Sequence, residues 1–499
     1  MAASPHPAPF AAPAPLAGPG APHRILVDLS HAAAGYVGIA QDTRLIFDML
    51  AGLPGVEATG LLMPTGRHDL PRITPDCAGD VALAAGVLHW MSRNWDTRGY
   101  PRIMGPFWRL LEFREWLRSS HALMPVPDAV RSSALWRVLF EKTLAPERRE
   151  ETLSRAFQAT DLSVMRIIDR ATKLGGLPPK RLDAPGFDFA FFCMPRPVRL
   201  PRGTRQIVRF HDAVPVTDTD TVATWQTGAA HQTVVRGCVP DAVFVCNSPQ
   251  SQHDLAALDP GRAALSRVIP CALAPAQARP TQIPFTAIID SRRTFRALDK
   301  APSDHDVPPI DPDCRYVLAV STMEPRKNYP GLIRGWERVL NRSDPDLHLI
   351  IVANTGWLEG PVLRAMAPHI RRGRIIHLES LPQDELLSLA AGSVCFAFPS
   401  FNEGFGYPPL EALQAGACPI VSDIPVFRWI FGDGALYVDP YDPETLAEAI
   451  ERLAVHPDRH ALRAELLSRR EAVLDRFRPA TVRLQWAALL DDLSRQPPA

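Results

Sequence analysis

The chain has 499 residues and a mass of 55.0 kDa, which at roughly 150 residues per domain means two large units or three small ones. Hydrophobic residues make up 46% and charged residues 22%, the balance of a globular protein with apolar material for two cores. Lys+Arg and Asp+Glu number 54 each, a formal net charge of +0 that speaks against a dedicated nucleic-acid binder, and no apolar run reaches the roughly 18–20 residues of a membrane-spanning helix.

The first 22 residues, Met1 to Pro22, are mostly Ala and Pro, with seven prolines and no Lys or Arg before Arg24. A secretion signal needs a basic start and an unbroken apolar stretch, so this segment is predicted to be a disordered leader. A first α/β domain is expected over 23–290. Its predicted strands are Ile25–Val27, Gly60–Met63, Phe187–Cys193, Gln206–Phe210 and Ala242–Cys246, with a helix over Gln41–Leu50. Between about 87 and 185 the pattern changes to helix formers, Arg and Trp. From Trp90 to Asp183 there are 17 Lys/Arg against 11 Asp/Glu, and a helical insertion is expected. A Pro-rich stretch predicts a linker over 291–312.

The second half alternates apolar runs with helical stretches from Tyr316 to Val438. That alternation predicts a parallel sheet wound on both faces, over 313–478, with ligands at the carboxyl ends of its strands. A last helix, 479–499, is expected to pack back toward the first domain. The eight cysteines (Cys77, Cys193, Cys238, Cys246, Cys271, Cys314, Cys395, Cys418) include no CxxC pair, and several lie in apolar runs. They read as buried reduced thiols rather than a zinc site.

The most informative segment is Pro399-Ser400-Phe401-Asn402-Glu403-Gly404-Phe405-Gly406-Tyr407-Pro408-Pro409-Leu410-Glu411-Ala412. It follows an apolar strand and opens a helix. Gly404 and Gly406 allow close backbone approach to a ligand, and the prolines suit a helix start whose positive end favours an anion. Two carboxylates, Glu403 and Glu411, bracket the turn at a spacing of Glu-x7-Glu.

This spacing, within Glu-Gly-Phe-Gly-x-Pro-x-Leu-Glu-Ala, resembles retaining GT-B glycosyltransferases, and most of all glycosyltransferase family 4, whose members use nucleotide-diphosphate sugars. The resemblance implies two Rossmann-like domains facing across a cleft. It implies that Glu403 contacts donor-sugar hydroxyls, that the amides of Gly404, Phe405 and Gly406 contact sugar and phosphate, and that Glu411 binds the ribose. Glu324-Pro325-Arg326-Lys327-Asn328 resembles the loop of mannosyltransferase-like members, where a basic pair, here Arg326 and Lys327, grips the diphosphate.

The first domain resembles the family less closely. His211-Asp212-Ala213-Val214-Pro215 is similar to its His-Asp-x-x-Pro, which puts His211 near the reaction centre. Tyr36-Val37-Gly38-Ile39-Ala40-Gln41 stands where the family has Gly-Ile-Gly-Arg-Tyr. Gly38 is left as the phosphate-approach residue, with Ala40 and Gln41 replacing Gly and Arg. Asn247-Ser248, with Ser251 and Asp254, is similar to a strand-to-helix segment of the family.

The expected activity is transfer of a hexose from a nucleotide-diphosphate sugar to a glycan or lipid-linked oligosaccharide hydroxyl, with retention. GDP-mannose leads as donor. The setting implied is bacterial surface polysaccharide synthesis, in the cytoplasm at the inner membrane face. No metal cofactor and no nucleic-acid partner are expected. Asp218-Thr219-Asp220 is a literal Asp-x-Asp, but it lies in a polar loop and reads as such. In the insertion, Phe107 to Leu117 segregates its charges poorly and reads as a buried helix rather than a membrane-surface one, although the local basic excess suits an anionic acceptor or headgroups. The competing readings are a nucleotide-sugar epimerase and a non-catalytic binding module.

Overall fold

The computed structural model describes residues 22–35, 38–65, 119–126, 133–173, 178–218, 225–275, 283–298, 308–354, 356 and 358–496. The leader to residue 21, Cys77, the segment 107–117 expected to be helical, and Asp220 lie outside the described residues.

The first sheet takes β1 (His23–Asp28), β2 (Val56–Leu62), β4 (Met124–Pro125), β5 (Phe157–Ala159), β7 (Phe189–Phe192), β9 (Arg205–Phe210), β10 (Val243–Cys246) and β11 (Arg267–Val268). Their order is β11-β10-β9-β7-β1-β2-β5-β4, parallel except for β4 against β5. A small sheet, β3-β6-β8, holds β3 (Ser120–Ala122), β6 (Lys180–Asp183) and β8 (Val198–Arg199). The central strands are buried on both faces, as in Phe-Ala-Phe-Phe of β7, because helices cover both sides.

The described part of the expected insertion is mixed, not helical. It contains helices at Val164–Lys173 and Ser133–Leu139, but β5 and β4 from the same stretch extend the main sheet. Short strands of three and two residues carry too little apolar periodicity to stand out beside Arg-rich helices.

The second sheet runs β14-β13-β12-β15-β16-β17, all parallel. Its members are β12 (Tyr316–Val320), β13 (His348–Val352), β14 (Ile375–Leu378), β15 (Cys395–Phe398), β16 (Pro419–Ser422) and β17 (Leu436–Val438). The helix Tyr329–Arg342 shows why these segments fold locally. Asn328 caps it, accepting from the Gly331 amide at 3.1 Å, and Leu332, Ile333, Trp336 and Val339 form one buried stripe.

The chain enters the second domain earlier than the composition suggests. Cys271 and Leu273 already pack in that domain's core, and so do Ile288 and Ile289 of the helix Phe285–Arg292. The division near 290 therefore moves upstream. Apolar residues in a Pro-rich stretch do not announce which core they join. At the other end, the helix Pro479–Ser494 returns to the first domain. Its Val482, Trp486, Leu489, Leu490 and Leu493 pack in the core beneath β1, β7 and β9. Trp486 meets Phe191 edge-on at 5.5 Å, and Arg205 donates to the Leu493 carbonyl at 2.8 Å.

Cys193, Cys238, Cys246, Cys271, Cys395 and Cys418 are buried free thiols, and Cys314 is half-buried. Among the described residues no helix is long and apolar enough to cross a membrane.

Candidate active site

The second-domain part of the site is built by two loops after neighbouring strands. The first follows β12 and carries Glu324 to Asn328; the second follows β15 and carries Pro399 to Gly406. Asn328 ties them together. It adopts a left-handed φ of 54° and donates to the carbonyls of Pro399, at 3.1 Å, and Pro440, at 2.7 Å. The Phe401 amide donates to the Arg326 carbonyl at 2.8 Å.

This frame brings Glu403, Arg326 and Lys327 into contact. Glu403 is 5% exposed. It accepts from Arg326 Nη1 at 2.7 Å and from Lys327 Nζ at 2.6 Å. Arg326 Nε also donates to Glu324 at 2.9 Å. Burial alone would raise the Glu403 pKa, but the two cations outweigh it and hold it at about 2. Burial and the neighbouring Arg326 lower the Lys327 pKa, while burial raises that of Glu324 against the same cations. In the structure the basic pair therefore grips the carboxylate. Among the described residues Arg326 Nη2 and two of the three Lys327 N–H bonds have no hydrogen-bond partner and can meet a ligand.

Gly404 and Gly406 are required by space and by backbone conformation. A Cβ on Gly404 would lie 2.2 Å from the His211 carbonyl oxygen of the first domain. Gly406 has φ of 101°, and a Cβ there would lie 2.6 Å from Phe427. Phe405 is 4% exposed and packs edge-on against Tyr407 and Phe477, so its side chain serves the core. The helix Tyr407–Gln414 starts directly after it. Pro408 and Pro409 remove two of its four free first-turn amides, so it attracts an anion more by its dipole than by hydrogen bonds.

The first domain meets these loops directly. Ser248 caps the helix Pro249–Leu258 and donates to the Gly404 carbonyl at 2.7 Å. Gln41 donates to Glu411 Oε1 at 2.9 Å. Burial raises the Glu411 pKa, against hydrogen bonds from Gln41 and Gln383. Gly38 begins the helix Gly38–Ala51 and abuts the Tyr407 ring, 3.0 Å from where its Cβ would be. Glu411, about one turn inside the helix Tyr407–Gln414, and Gly38 thus lie at the domain contact. Asp218 of the Asp-x-Asp accepts from Asn402. Among the described residues no group of three metal-ligating side chains gathers.

His211 follows β9, and its Nε2 lies 3.0 Å from the Cys193 carbonyl. A carbonyl only accepts, so Nε2 donates. Burial lowers the His211 pKa, and the neutral ring leaves Nδ1 bare. Behind it Arg209, fully buried within β9, pairs with Asp42 at 2.7 Å and reaches Cys271 Sγ at 3.3 Å. Sequence reading missed Gln41 and Ser248 as partners across the cleft. It also missed Asp28, Ser30, His31, Cys193 and Arg196, which cluster beside His211. Polar residues directly after β1 and β7 were the available signal.

Residues 301–465, a third of the chain, match the family model of glycosyl transferases group 1. The O-antigen chain mannosyltransferase B of Escherichia coli is 33% identical over 135 residues, 27% of this chain and 35% of that protein. The O-antigen chain mannosyltransferase RfbU of Salmonella typhimurium is 33% identical over 143 residues, 29% of this chain and 39% of that protein. The chain thus spans little more than a third of the length of these curated relatives. The alpha,alpha-trehalose 6-phosphate synthase of Burkholderia multivorans superposes with a TM-score of 0.52 at 13% identity, covering 95% of this chain and 99% of that one. The fold is GT-B: two Rossmann-like domains facing across a cleft.

Proposed function

We propose, from a GT-B fold whose second domain carries a glycosyl transferases group 1 match, that this chain is a glycosyltransferase of polysaccharide synthesis. It moves a hexose from a nucleotide-diphosphate sugar to a glycan or lipid-linked oligosaccharide hydroxyl, with retention. Mannose from GDP-mannose leads, since the relatives named above are O-antigen mannosyltransferases. The observation that carries the reading is the Glu403–Arg326–Lys327 cluster, set against His211 across the cleft.

Glu403, held ionised, positions the sugar and offsets positive charge developing at its anomeric carbon. The free N–H groups of Arg326 and Lys327 offset negative charge on the departing diphosphate. His211 Nδ1 accepts from a sugar hydroxyl. The bond from the anomeric carbon to the phosphate oxygen breaks and the bond to the acceptor oxygen forms on the same face. The acceptor proton passes to the leaving phosphate. Glu411 takes the ribose, for which Gln41 gives way. No metal is needed, because Arg326 and Lys327 supply the charge. The acceptor, if lipid-linked, brings the chain to the inner membrane face.

The test is a donor screen by thermal shift and nucleotide release, with GDP-mannose, UDP-glucose and related donors, beside Glu403→Ala and Lys327→Ala. One donor should stabilise the wild type and be turned over by it far faster than by either variant. A wild type that responds to no donor would sink the enzyme reading.

A further inference from the structure

A second polar cluster lies at the carboxyl ends of three adjacent strands of the first sheet. Asp28 ends β1, Cys193 follows β7 and His211 follows β9. Ser30, His31 and Arg196 complete it. Asp28, Ser30, Cys193 and Arg196 are at most 2% exposed, while His31 is half-buried. The cluster shares His211 with the Glu403 loop: the His211 ring bonds the Cys193 carbonyl, and its own carbonyl abuts Gly404.

Arg196 is a buried cation with few partners. Its Nη1 donates to the Pro195 carbonyl at 3.3 Å, and its Nη2 lies 3.2 Å from His31 Nδ1. The Asp28 carboxylate stays 3.8 Å from Nε, which has no hydrogen-bond partner. Asp28 is engaged instead by the Ser30 amide at 2.8 Å and the Cys193 thiol at 3.2 Å. The Ser30 hydroxyl, at 3.1 Å, and the Cys193 thiol, at 3.4 Å, face the same Nδ1 and can each donate, whereas a guanidinium has only N–H groups, so His31 Nδ1 accepts. That fixes the tautomer. The hydrogen sits on Nε2, on the side of the ring away from the cluster.

We propose that His31, held by Arg196 in the Nε2–H tautomer, is an acceptor-binding residue that donates to a hydroxyl oxygen of the acceptor sugar. The inference rests on the glycosyltransferase reading. The Arg196 and Asp28 charges cancel, so the cluster suits a neutral hydroxyl rather than a phosphate. With Nδ1 engaged and Nε2 protonated, His31 has no free lone pair. It orients the acceptor and does not take its proton. Arg196 is a positioning residue that acts through His31. Burial and Arg196 lower the His31 pKa to about 3, with His211 in the same direction and Asp28 opposing, so the ring stays neutral at working pH.

The experiment uses the full chain with GDP-mannose, or UDP-glucose where the donor screen selects it. It compares donor hydrolysis with transfer to the methyl α-glycosides of mannose, glucose and galactose. In His31→Ala, the loss of one hydrogen bond should lower the ratio of transfer to hydrolysis about tenfold, chiefly through the acceptor KM. His31→Gln, whose amide nitrogen falls near Nε2, should recover most of that loss. Arg196→Met removes the second of the two causes that hold the His31 pKa down and leaves burial, the larger one, so any acid limb of the acceptor kcat/KM should lie at higher pH than in the wild type. An acceptor KM unmoved in His31→Ala, a Gln variant no better than Ala, or transfer to none of the glycosides by a wild type that hydrolyses the donor would overturn this inference alone. A wild type that neither binds nor hydrolyses any donor would defeat the glycosyltransferase reading, and this inference with it. Should Arg196→Met fail to fold, nitrogen NMR of histidine-labelled wild type decides: an Nε2–H tautomer unprotonated from about pH 5 to 8 supports the assignment, and an Nδ1–H tautomer overturns it.

Discussion

The second domain gathers its half of the cleft from two short loops, 324–328 and 399–406, that follow neighbouring strands β12 and β15. The first domain gathers its half from residues spread between Asp28 and Ser248, on four strand ends and one helix. The second domain fixes its charges locally: Asn328 pins one loop to the other, and Glu403 meets both cations within that frame. The first domain fixes its polar groups by sheet register. β9, β7 and β1 lie side by side, so His211, Cys193 and Asp28 come together although they are far apart in the chain. A loop motif keeps its meaning when read alone. A strand end acquires one only when its neighbours are known.

The sharpest way to break this contrast is to unseat the element that completes the first domain. Trp486→Ala empties a fully buried indole from the core under β7, and should cost about 3–5 kcal/mol in stability by chemical denaturation. If the first domain lost nothing, the C-terminal helix would be an accessory rather than part of its core.

On the other side of the cleft, Glu403→Ala should lower donor turnover about 10²–10³-fold, measured as nucleotide release. It also leaves Arg326 and Lys327 facing each other with Glu324, on Arg326 Nε, as their remaining counter-charge. The same carboxylate gives a pH signature. Its folded pKa, about 2, lies below its ordinary 4.5, so its stabilisation is complete above the ordinary value and is lost as pH falls through the folded one. The Tm gap between wild type and Glu403→Gln should therefore narrow between about pH 5 and 2.

Gly404→Ala tests the contact between the halves. Its Cβ would fall 2.2 Å from the His211 carbonyl, backbone that cannot yield without a shift of the domain. Turnover should drop about 10²-fold through lost closure, with a larger radius of gyration by small-angle scattering. The smallest effect belongs to Gln41→Ala, which removes one hydrogen bond across the cleft. About 1 kcal/mol of closure should be lost, and the pKa of Glu411 should rise further, readable as a shift in the pH dependence of donor affinity.

The two halves were also unequally legible. In the second domain the alternation of apolar runs and helical stretches from Tyr316 to Val438 was readable as the parallel sheet that the structure shows, because each parallel strand is a continuous apolar run between helices. The pairing of Glu403 with Arg326 and Lys327 was not readable. Both motifs suggested ligand contacts, but their mutual contact depends on β12 lying beside β15. In the first domain, β9 read as an apolar strand although it holds Arg209, 0% exposed and neutralised by Asp42 from the helix Gly38–Ala51. The exchange of Arg for Gln at position 41 read as a departure from the family pattern. The structure puts that glutamine on Glu411.

Short-range physics was legible along the chain: apolar runs that must be buried, glycines where a side chain would collide, and charged loops at strand ends. Which strand ends adjoin, that residues near 157 complete the first sheet, and which side chains of the last helix enter the first core were set by the assembled fold. Those outcomes depend on side chains far apart in the chain excluding water together, and no single segment carries that information.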